Sequence, residues 1–479
     1  MSSFCLSPDF FQVENLLDEN DQTCDLRKDN ANTEKVVKSL NQVIKEAVDE
    51  NRGLSNGNYD TLLRALYHTE QQLHNFEIRY GLGKSLYALL NIVQPIDRTG
   101  EQIGYLVASF ALIFRCSDYY KLLCYDSIGS KLIPLLIDTC GLCLDGRIMA
   151  KYSPGMILAT VTKILGMFCR LDERINHTLG NENLLYRLVD IIRNDISPSA
   201  RVDGILAISV LALDDENRFF LSNSSDAMDG FIQIGEIDFD VTRNAALAVF
   251  SNISKLSDTH TQLAKYPGMF DLLLKFLVSE DGESESRAAG TIRNLSSSEG
   301  VRSKIVYHER FSILSALSLL MIGKNNDTAA ERSAEAIKNL SFSADSIVQE
   351  ALLNYPELLR SLGIAAYSDS EHIRSCVSTA LSSFSNWCYH LMSSHERFID
   401  ILVDASMVPP SYFVDGYAYK ISSSFLTQAI KPENKRSMLK NSRVLHGLTQ
   451  LSRSKDAGAR VNSKKAIDIL ASNKYINLY

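Results

Sequence analysis

The sequence predicts an all-α protein built as a right-handed α-solenoid of about eight to nine short helical repeats, preceded by a helical N-terminal cap. Two landmarks predict it: a motif that ends in Asn-Leu-Ser or Asn-Ile-Ser recurs roughly every 43 residues, and a second landmark keeps step with it. A solenoid also suits a chain of 479 residues, because each repeat packs only on its neighbours and no single large core is needed.

The first landmark is a helix of small and apolar residues that ends at an asparagine. Asn252, Asn294 and Asn339 follow one another at steps of 42 and 45 residues. Apolar residues recur before the first of them at three- and four-residue spacing, which predicts one buried helical stripe. The members of this stripe are Ala246, Val249, Phe250 and Ile253. A unit with one apolar face cannot bury it alone, so several units must stack.

The second landmark lies between each asparagine and the next. The letters HERF stand at 308–311 and again at 395–398, which is 87 residues or two periods later. Tyr266-Pro267 and Tyr355-Pro356 hold the same place in two other repeats, and each is followed by an apolar helix. The 10 prolines also suit a helical chain, since proline is tolerated at the first position of a helix but not in its interior.

The chain divides into three predicted regions. Residues 1–32 are polar and acidic and are predicted to be a disordered tail. Residues 33–100 begin with an amphipathic stretch and are predicted to form the helical cap. Residues 101–479 are predicted to be the solenoid, with an inserted loop near 140–157 where the repeat spacing stretches.

The motif of small residues followed by Asn-Leu-Ser or Asn-Ile-Ser resembles the third helix of armadillo repeats, most clearly over residues 200–385. The resemblance implies that the third helices line a concave face and that their asparagines hold the backbone of an extended peptide. A carboxamide suits that task because it offers one acceptor and two donors. The implied partner-binding residues are Asn252, Asn294, Asn339, Arg293, Lys338, Arg287 and Arg332. The four bases would favour an acidic peptide.

The chain departs from one branch of that family. Importin-like members carry tryptophan four residues before the asparagine, where this chain has Tyr87, Ala248, Gly290 and Glu335. We therefore do not expect binding of nuclear localisation signals. A purely structural role for the asparagines stays open, in which they cap helix ends or bond to neighbouring repeats.

Three further motifs are interpreted as structural. Gly81–Ser85 resembles part of a phosphate-binding loop but lacks its first glycine, so a turn is predicted. Cys140 and Cys143 have redox-motif spacing without a βαβ setting or a second cysteine pair, so buried free thiols are predicted. His390, after Cys388, is interpreted as a packing or surface residue. No cofactor and no metal site is expected.

Charge is distributed unevenly over a net charge of −8. Residues 1–25 hold six acids and no Lys or Arg, whereas residues 431–479 hold eleven bases against three acids. The stretch Asp9–Leu17 mixes acids with bulky apolar residues, as docking motifs do, and either binds another protein or folds back onto the basic C-terminal repeats. Nucleic acid is not an expected partner, since few aromatics accompany the bases. No apolar run is long enough for a membrane span.

The predicted function is that of a non-catalytic protein-binding scaffold or adaptor, and no enzyme motif is present. The alternative is a regulator of an enzyme cycle, such as a nucleotide-exchange factor for a GTPase or a heat-shock chaperone. The nine scattered cysteines and the glycosylation sequons inside predicted packed helices favour the cytoplasm, with the nucleus as the alternative.

Overall fold

The computed structural model describes residues 127–146, 154–169, 182–194, 197–237, 240–390, 396–414 and 416–472, together with a few isolated positions before residue 110. The predicted acidic tail (1–32) and nearly all of the predicted cap (33–100) lie outside the described residues.

The regular structure within these ranges is helical throughout, which confirms the all-α class. The helices, numbered in chain order, are α1 (Ser127–Leu144), α2 (Pro154–Cys169), α3 (Glu182–Arg193), α4 (Pro198–Leu211), α5 (Asp215–Asn223), α6 (Ser225–Ile237), α7 (Asp240–Ile253), α8 (His260–Lys265), α9 (Met269–Leu277), α10 (Gly282–Ser296), α11 (Glu299–Tyr307), α12 (Ser312–Ile322), α13 (Asp327–Leu340), α14 (Ser346–Leu353), α15 (Pro356–Ala365), α16 (Glu371–His390), α17 (Glu396–Ser406), α18 (Tyr417–Ile430), α19 (Pro432–Lys440), α20 (Arg443–Leu451) and α21 (Ala457–Ala471). Short 3₁₀ turns occupy Ser257–Thr259, His308–Arg310 and Pro410–Tyr412.

The chain forms two compact units, one up to Val249 and one from Phe250 onward, and helix α7 runs through the boundary. In the first unit α2 packs on α1 and on α4, while α3 packs on α4. Helix α4 begins sharply because Ser197 accepts a hydrogen bond from the Ala200 N–H and Pro198 holds the first helical position.

The second unit consists of three-helix repeats. Helices α8–α10, α11–α13, α14–α16 and α19–α21 each form a short first helix, a second helix and a longer third helix. Third helices pack in one row in the order α10, α13, α16, α18, α21, and second helices pack in another in the order α9, α12, α15, α17, α20. Each repeat contacts the next, which is the arrangement that the sequence period predicts.

Small and apolar residues of the third helices supply the contact between repeats. The predicted stripe in α7 is confirmed, since all four of its members are fully buried. Ala288 and Ala336 are likewise fully buried, and such small side chains let neighbouring helices approach closely. Larger members such as Ile292 and Leu340 each stabilise the fold by about 1.5–3 kcal/mol on burial.

Side-chain caps fix where the third helices begin. Asp281, Asn326 and Asp456 precede α10, α13 and α21 and accept a hydrogen bond from a backbone N–H in the first turn. Each satisfies an N–H that has no partner inside the helix. These caps therefore set the register in which third-helix side chains reach the exposed face.

The second sequence landmark is the corner between the first and second helices. Three repeats make this corner in different ways: Gly268 adopts φ +77°, Phe311 adopts φ +73°, and Pro356 occupies the first position of α15. Phe311 accepts a conformation that usually favours glycine, and its ring packs against Tyr307 and Tyr355 at centroid distances of 5.6 and 5.5 Å. The ring contacts offset the cost of the backbone conformation.

Part of the stretch 140–157, predicted as an inserted loop, is helical. Helix α1 continues through Cys140 to Leu144, and α2 already begins at Pro154. Residues 147–153 lie outside the described ranges. The apolar character of Cys140 and Cys143, both fully buried, extends the helix beyond the point where the repeat spacing suggested its end.

No single helix in the described ranges has both the length and the apolar character needed to cross a bilayer. The helices over residues 299–310 and 312–322 meet these two criteria only when they are taken as a pair, and the pair is bent by 94°.

Candidate functional site

The seven sequence-predicted site residues all lie on third helices, in α7, α10 and α13, and all are partly exposed. We call the exposed side of α10, α13, α16 and α18, with the end of α7 from residue 250, the third-helix face. The residues stand where the repeat register places them. Their hydrogen bonds show how the protein itself uses each one.

The asparagine side chains connect consecutive repeats. Asn294 donates from Nδ2 to Ser254 Oγ at 3.0 Å and to the Ser251 carbonyl oxygen at 3.5 Å. Asn339 donates from Nδ2 to Ser296 Oγ at 3.2 Å and to the Arg293 carbonyl oxygen at 3.0 Å.

The acceptors stand at the same offsets in both cases, one residue before and two residues after the preceding asparagine. We call this pair of hydrogen bonds the carboxamide clasp. The clasp uses the side-chain donors of Asn294 and Asn339 to connect neighbouring repeats, which is the structural role that the sequence leaves open for these asparagines. Their peptide-binding role stays a prediction.

The carboxamide oxygens have different surroundings. Asn294 Oδ1 accepts from Arg293 Nε and Nη2 at 3.1 and 2.9 Å, and Asn252 Oδ1 accepts from Lys255 Nζ at 2.8 Å. Asn339 Oδ1 accepts no hydrogen bond from the part of the chain that the structure describes. The acceptor that remains for a ligand is therefore Asn339 Oδ1.

A recess of about 330 Å³ opens beside the clasps, across the end of α7, α10 and α13. Its lining is polar and consists of Ser254, Lys255, His260, Arg293, Asn294, Ser297, Glu335, Lys338 and Asn339. Lys338 forms no ion pair or side-chain hydrogen bond with any described residue. Lysine and arginine outnumber the single carboxylate, so the recess favours an anionic ligand.

Glu335 partly balances these cations. Its carboxylate lies 3.1 Å from Arg293 Nη1 and 3.0 Å from His372 Nε2. Glu335 holds the position where importin-like proteins carry tryptophan, and here the side chain pairs with a base. This arrangement agrees with the departure from that branch that the sequence indicates. The chain's tryptophan, Trp387, is buried and packs on Phe384 at a centroid distance of 4.9 Å.

Arg332 fills the corresponding space one repeat earlier. Its side chain lies over Gly290, such that a Cβ at that glycine would stand 3.3 Å from Arg332 Cδ and Nη1. Arg332 Nη1 donates to the Ser286 carbonyl oxygen and Oγ at 2.7 and 2.8 Å. Burial lowers the pKa of Arg332, and the neighbouring Arg293 and Arg287 lower it further. Glu335 opposes this shift, and Arg332 lies close enough to Arg293 and Arg287 to be repelled by both.

The basic character extends along the face to α18. Lys420 Nζ donates to Thr379 Oγ1 on α16 at 2.8 Å. Its pKa is lowered by burial and by Lys338, although the Cys376 thiol opposes this shift. Sequence reasoning missed Lys420, Lys255 and the bridging role of Glu335. Their common signal is a charged residue at an exposed position of a third helix or just after it.

His260 supports the recess from beneath. The imidazole is buried, with Nε2 2.7 Å from the Ser254 carbonyl oxygen and Nδ1 2.7 Å from Ser298 Oγ. Burial lowers the pKa of His260, while the Ser254 carbonyl and Asp258 oppose this shift. The neutral ring therefore joins the clasp residue Ser254 to the start of the next repeat.

The cysteine pair of α1 is built for packing. Cys140 and Cys143 are fully buried, burial raises the pKa of Cys140, and burial raises that of Cys143 to about 12. A thiol held in its neutral form is a weak nucleophile and a weak metal ligand. These observations support the interpretation as buried free thiols. Gly81–Gly83 and the side chains of Cys388 and His390 lie outside the described residues.

One group in the described ranges has metal-ligand chemistry. Asp271, His308 and Glu309 place ligand atoms within 4.8 Å of one another at the corner between α11 and α12. Both carboxylates are exposed, and His308 Nε2 lies 3.2 Å from Asp271 Oδ1. We assign no metal to this group.

Comparisons with known proteins address the fold. No protein-family model and no curated protein sequence matches the chain. Among solved structures, an engineered protein is similar over 92% of this chain and 98% of its own, with a TM-score of 0.56 and 13% identity. A designed armadillo repeat protein is 16% identical over 53% of this chain and 99% of its own, with a TM-score of 0.44.

Another designed armadillo repeat protein, in complex with the peptide (KR)4, is also 16% identical, with a TM-score of 0.45 over 53% of this chain and 99% of its own. Similarity at such identities concerns the fold. Together with the rows of second and third helices, the similarity to the engineered protein shows an all-α repeat fold.

Proposed function

We propose that this protein is a non-catalytic scaffold that binds an extended acidic segment of a partner protein along the third-helix face. The observation that carries the proposal is the polar recess across the end of α7, α10 and α13, in which Lys338 has no partner among the described residues. An unpaired ammonium group beside an unused carboxamide oxygen offers both a charge contact and a main-chain contact to a peptide.

The chemistry of the proposed ligand follows from the groups that the recess offers to it. Lys338 and Arg293 would pair with carboxylates, and Asn339 Oδ1 would accept a hydrogen bond from a peptide N–H whatever its side chain. The clasps keep the donors of Asn294 and Asn339 engaged, so they hold the shape of the face instead of the ligand. Specificity then rests on the spacing of the bases along consecutive third helices.

The non-catalytic character is part of the proposal. Within the described ranges, Ser298 Oγ lies 2.7 Å from His260 Nδ1, a contact that resembles a nucleophile and its base. The other ring nitrogen faces the Ser254 carbonyl instead of a carboxylate, and burial lowers the pKa of the ring, which makes it a weaker base. We interpret this pair as a contact between repeats.

The test uses the full chain and a fluorescent peptide library that alternates Glu or Asp with degenerate positions. Wild type should retain a subset of acidic peptides, and Lys338→Glu should weaken their binding on the order of tenfold because it replaces attraction by repulsion. Lys265→Glu changes the same charge at an exposed position of α8, a first helix, and serves as the matched control.

Equal retention by wild type and both variants would place binding away from the recess and contradict the proposal. Affinity should also fall as salt rises from about 50 to 300 mM, because exposed charge contacts are screened.

A further inference from the structure

Three arginines of the third-helix face come together at Gly290. Arg287 precedes Gly290 by three residues and Arg293 follows it by three, so all lie toward one side of α10. Arg332 enters from α13 and covers Gly290, since the absence of a Cβ leaves room for its side chain. The Arg332 side chain therefore lies over the part of α10 between the positions of Arg287 and Arg293. We call these residues the arginine cluster.

The carboxylates around the cluster leave it positively charged. Arg287 Nη2 lies 2.6 Å from Glu283 Oε1, and Arg293 Nη1 lies 3.1 Å from Glu335 Oε2. Glu335 is also shared with His372. Arg332 forms no ion pair within 4 Å in the described ranges, although Glu335 is near enough to raise its pKa, and its Nη1 is held by Ser286 alone.

The arrangement is held open at a cost in free energy. Burial is the largest cause of the lowered pKa of Arg332, and the like charges of Arg293 and Arg287 lower it further, while Glu335 opposes the shift. A surface that needed only solubility could disperse these charges. Here the caps and the missing Cβ of Gly290 direct them to one point, where a single multivalent anion would relieve the repulsion.

A phosphate monoester fits this point better than a carboxylate. It carries a charge of about −1.5 to −2 at neutral pH and presents three acceptor oxygens, so it can pair with two or three guanidinium groups at once. Arginine forks match phosphate oxygens in a bidentate manner, whereas each carboxylate satisfies one fork. Arg332 retains Nε and Nη2 for such contacts because Ser286 occupies only Nη1.

We propose that the arginine cluster binds the phosphoryl group of a phosphoserine or phosphothreonine within the extended acidic segment. This inference rests on the proposed function and adds a modification-dependent recognition site to it. Phosphorylation of the partner then acts as the signal that favours its binding.

The recess favours a peptide over a nucleic acid as the source of the phosphate. Single-stranded nucleic acids gain affinity by stacking bases on aromatic side chains. The lining of the recess includes no Phe, Tyr or Trp, and its imidazole, His260, is buried in contacts with Ser254 and Ser298. Carboxamides and bases of the kind found here suit a peptide backbone with acidic side chains.

The experiment compares three peptide libraries on the full chain. The libraries share degenerate acidic flanks and carry phosphoserine, glutamate or serine at the fixed central position. Wild type should bind the phosphoserine library about tenfold more tightly than the glutamate library, because a second and a third guanidinium group engage. Arg332→Gln and Arg287→Gln should each reduce that preference several-fold.

Arg360→Gln removes one exposed arginine from α15, a second helix, and is the matched control that should keep the preference. Urea midpoints of all variants verify folding. Arg287→Gln leaves the Ser286 contacts intact, so it remains informative should Arg332→Gln disturb α13.

The outcomes separate the two proposals. A glutamate library that binds, loses binding in Lys338→Glu and shows no deficit against phosphoserine would overturn the phosphoryl site and leave the scaffold function standing. A phosphoserine preference unchanged in both arginine variants would also overturn the site. Failure of every library to bind would overturn both proposals, as would displacement of bound peptides by a single-stranded oligonucleotide with tighter binding than any library.

Discussion

Among the carboxamide clasps that join repeats of the second unit, those of Asn339 and Gln428 lie in different surroundings. Asn339 on α13 donates to a serine hydroxyl and a backbone carbonyl of α10, and Gln428 on α18 donates to Ser385 Oγ at 2.9 Å and to its carbonyl oxygen at 2.8 Å on α16. The first carboxamide is partly exposed among cations. The second is 1% exposed, and its oxygen accepts from Asn434 Nδ2 at 2.7 Å.

The comparison shows that stacking repeats is the common task of these carboxamides, while ligand binding depends on their surroundings. The donor and acceptor atoms of the Gln428 carboxamide form hydrogen bonds inside the protein. Asn339 spends its donors in the same way but leaves Oδ1 facing a basic recess. A clasp can therefore hold two repeats together and, where it is exposed, contribute to a binding face.

The largest effect is expected at the buried clasp. Gln428→Leu keeps roughly the same volume but removes both hydrogen bonds to Ser385 and leaves the buried Asn434 amide without its acceptor, which should lower the free energy of unfolding by about 3 kcal/mol. Urea denaturation followed by circular dichroism measures this. Gln262→Leu at an exposed position of α8 is the control, and equal midpoints for the two variants would refute the assigned role of Gln428.

A smaller loss is expected at the exposed clasp. Asn339→Leu removes two hydrogen bonds, but Asn339 is partly exposed and Ser296 Oγ keeps its own hydrogen bond to the Arg293 carbonyl oxygen, so the loss should be about 1 kcal/mol. The same urea titration applies. A loss as large as that of Gln428→Leu would show that exposure does not distinguish the clasps.

Acid should weaken the clasp of Asn294, because its acceptor Ser254 is in contact with His260. Burial lowers the pKa of His260 in the folded protein, so folding favours the neutral ring. The stability that the neutral ring contributes is present above the unfolded pKa of about 6.5 and is lost as pH falls through the lower folded value. Urea midpoints at several pH values should fall less steeply in His260→Gln than in wild type. The exposed His446→Gln should retain the wild-type slope, and parallel slopes for all three proteins would count against this assignment.

The smallest effect on stability is expected at Lys338. Its ammonium group has no partner in the described part of the chain, so Lys338→Gln should change the free energy of unfolding by less than about 0.5 kcal/mol. The urea midpoint measures this, with Lys265→Gln as the reference. A clear destabilisation would indicate that Lys338 stabilises the repeats and would weaken its assignment to a ligand.

Much of the fold follows from the sequence because one periodic feature specifies it. The spacing of Asn252, Asn294 and Asn339 predicts the third helices, and the second landmark predicts the corners that Gly268, Phe311 and Pro356 make. The sequence does not decide whether the asparagines bind a peptide, cap helices or bond to the neighbouring repeat, although the clasp acceptors Ser254 and Ser296 belong to the same motif as the asparagines. Their contact with the next asparagine depends on the register of two helices packed side by side.

The site was harder to predict than the fold for the same reason. From the sequence, Gly290 indicates only that tryptophan is missing at this position. In the structure, Arg332 from the next repeat occupies the space beside Gly290. The motif does not identify Gln428, because the segment around it lacks the asparagine of the other repeats. Its carboxamide belongs to a longer side chain at a different position. Contacts between repeats join residues about 40 positions apart, and a single sequence does not show which of them meet.

The clasps also determine how the second unit would carry a pulling force. Each clasp connects only adjacent repeats, so a tension applied along the row of third helices passes through them in series. The load is then limited by the weakest junction, and the exposed junctions at Asn294 and Asn339 would open before the buried one at Gln428. A partner that binds across α10 and α13 would therefore strengthen the junction at Asn339 against such a force.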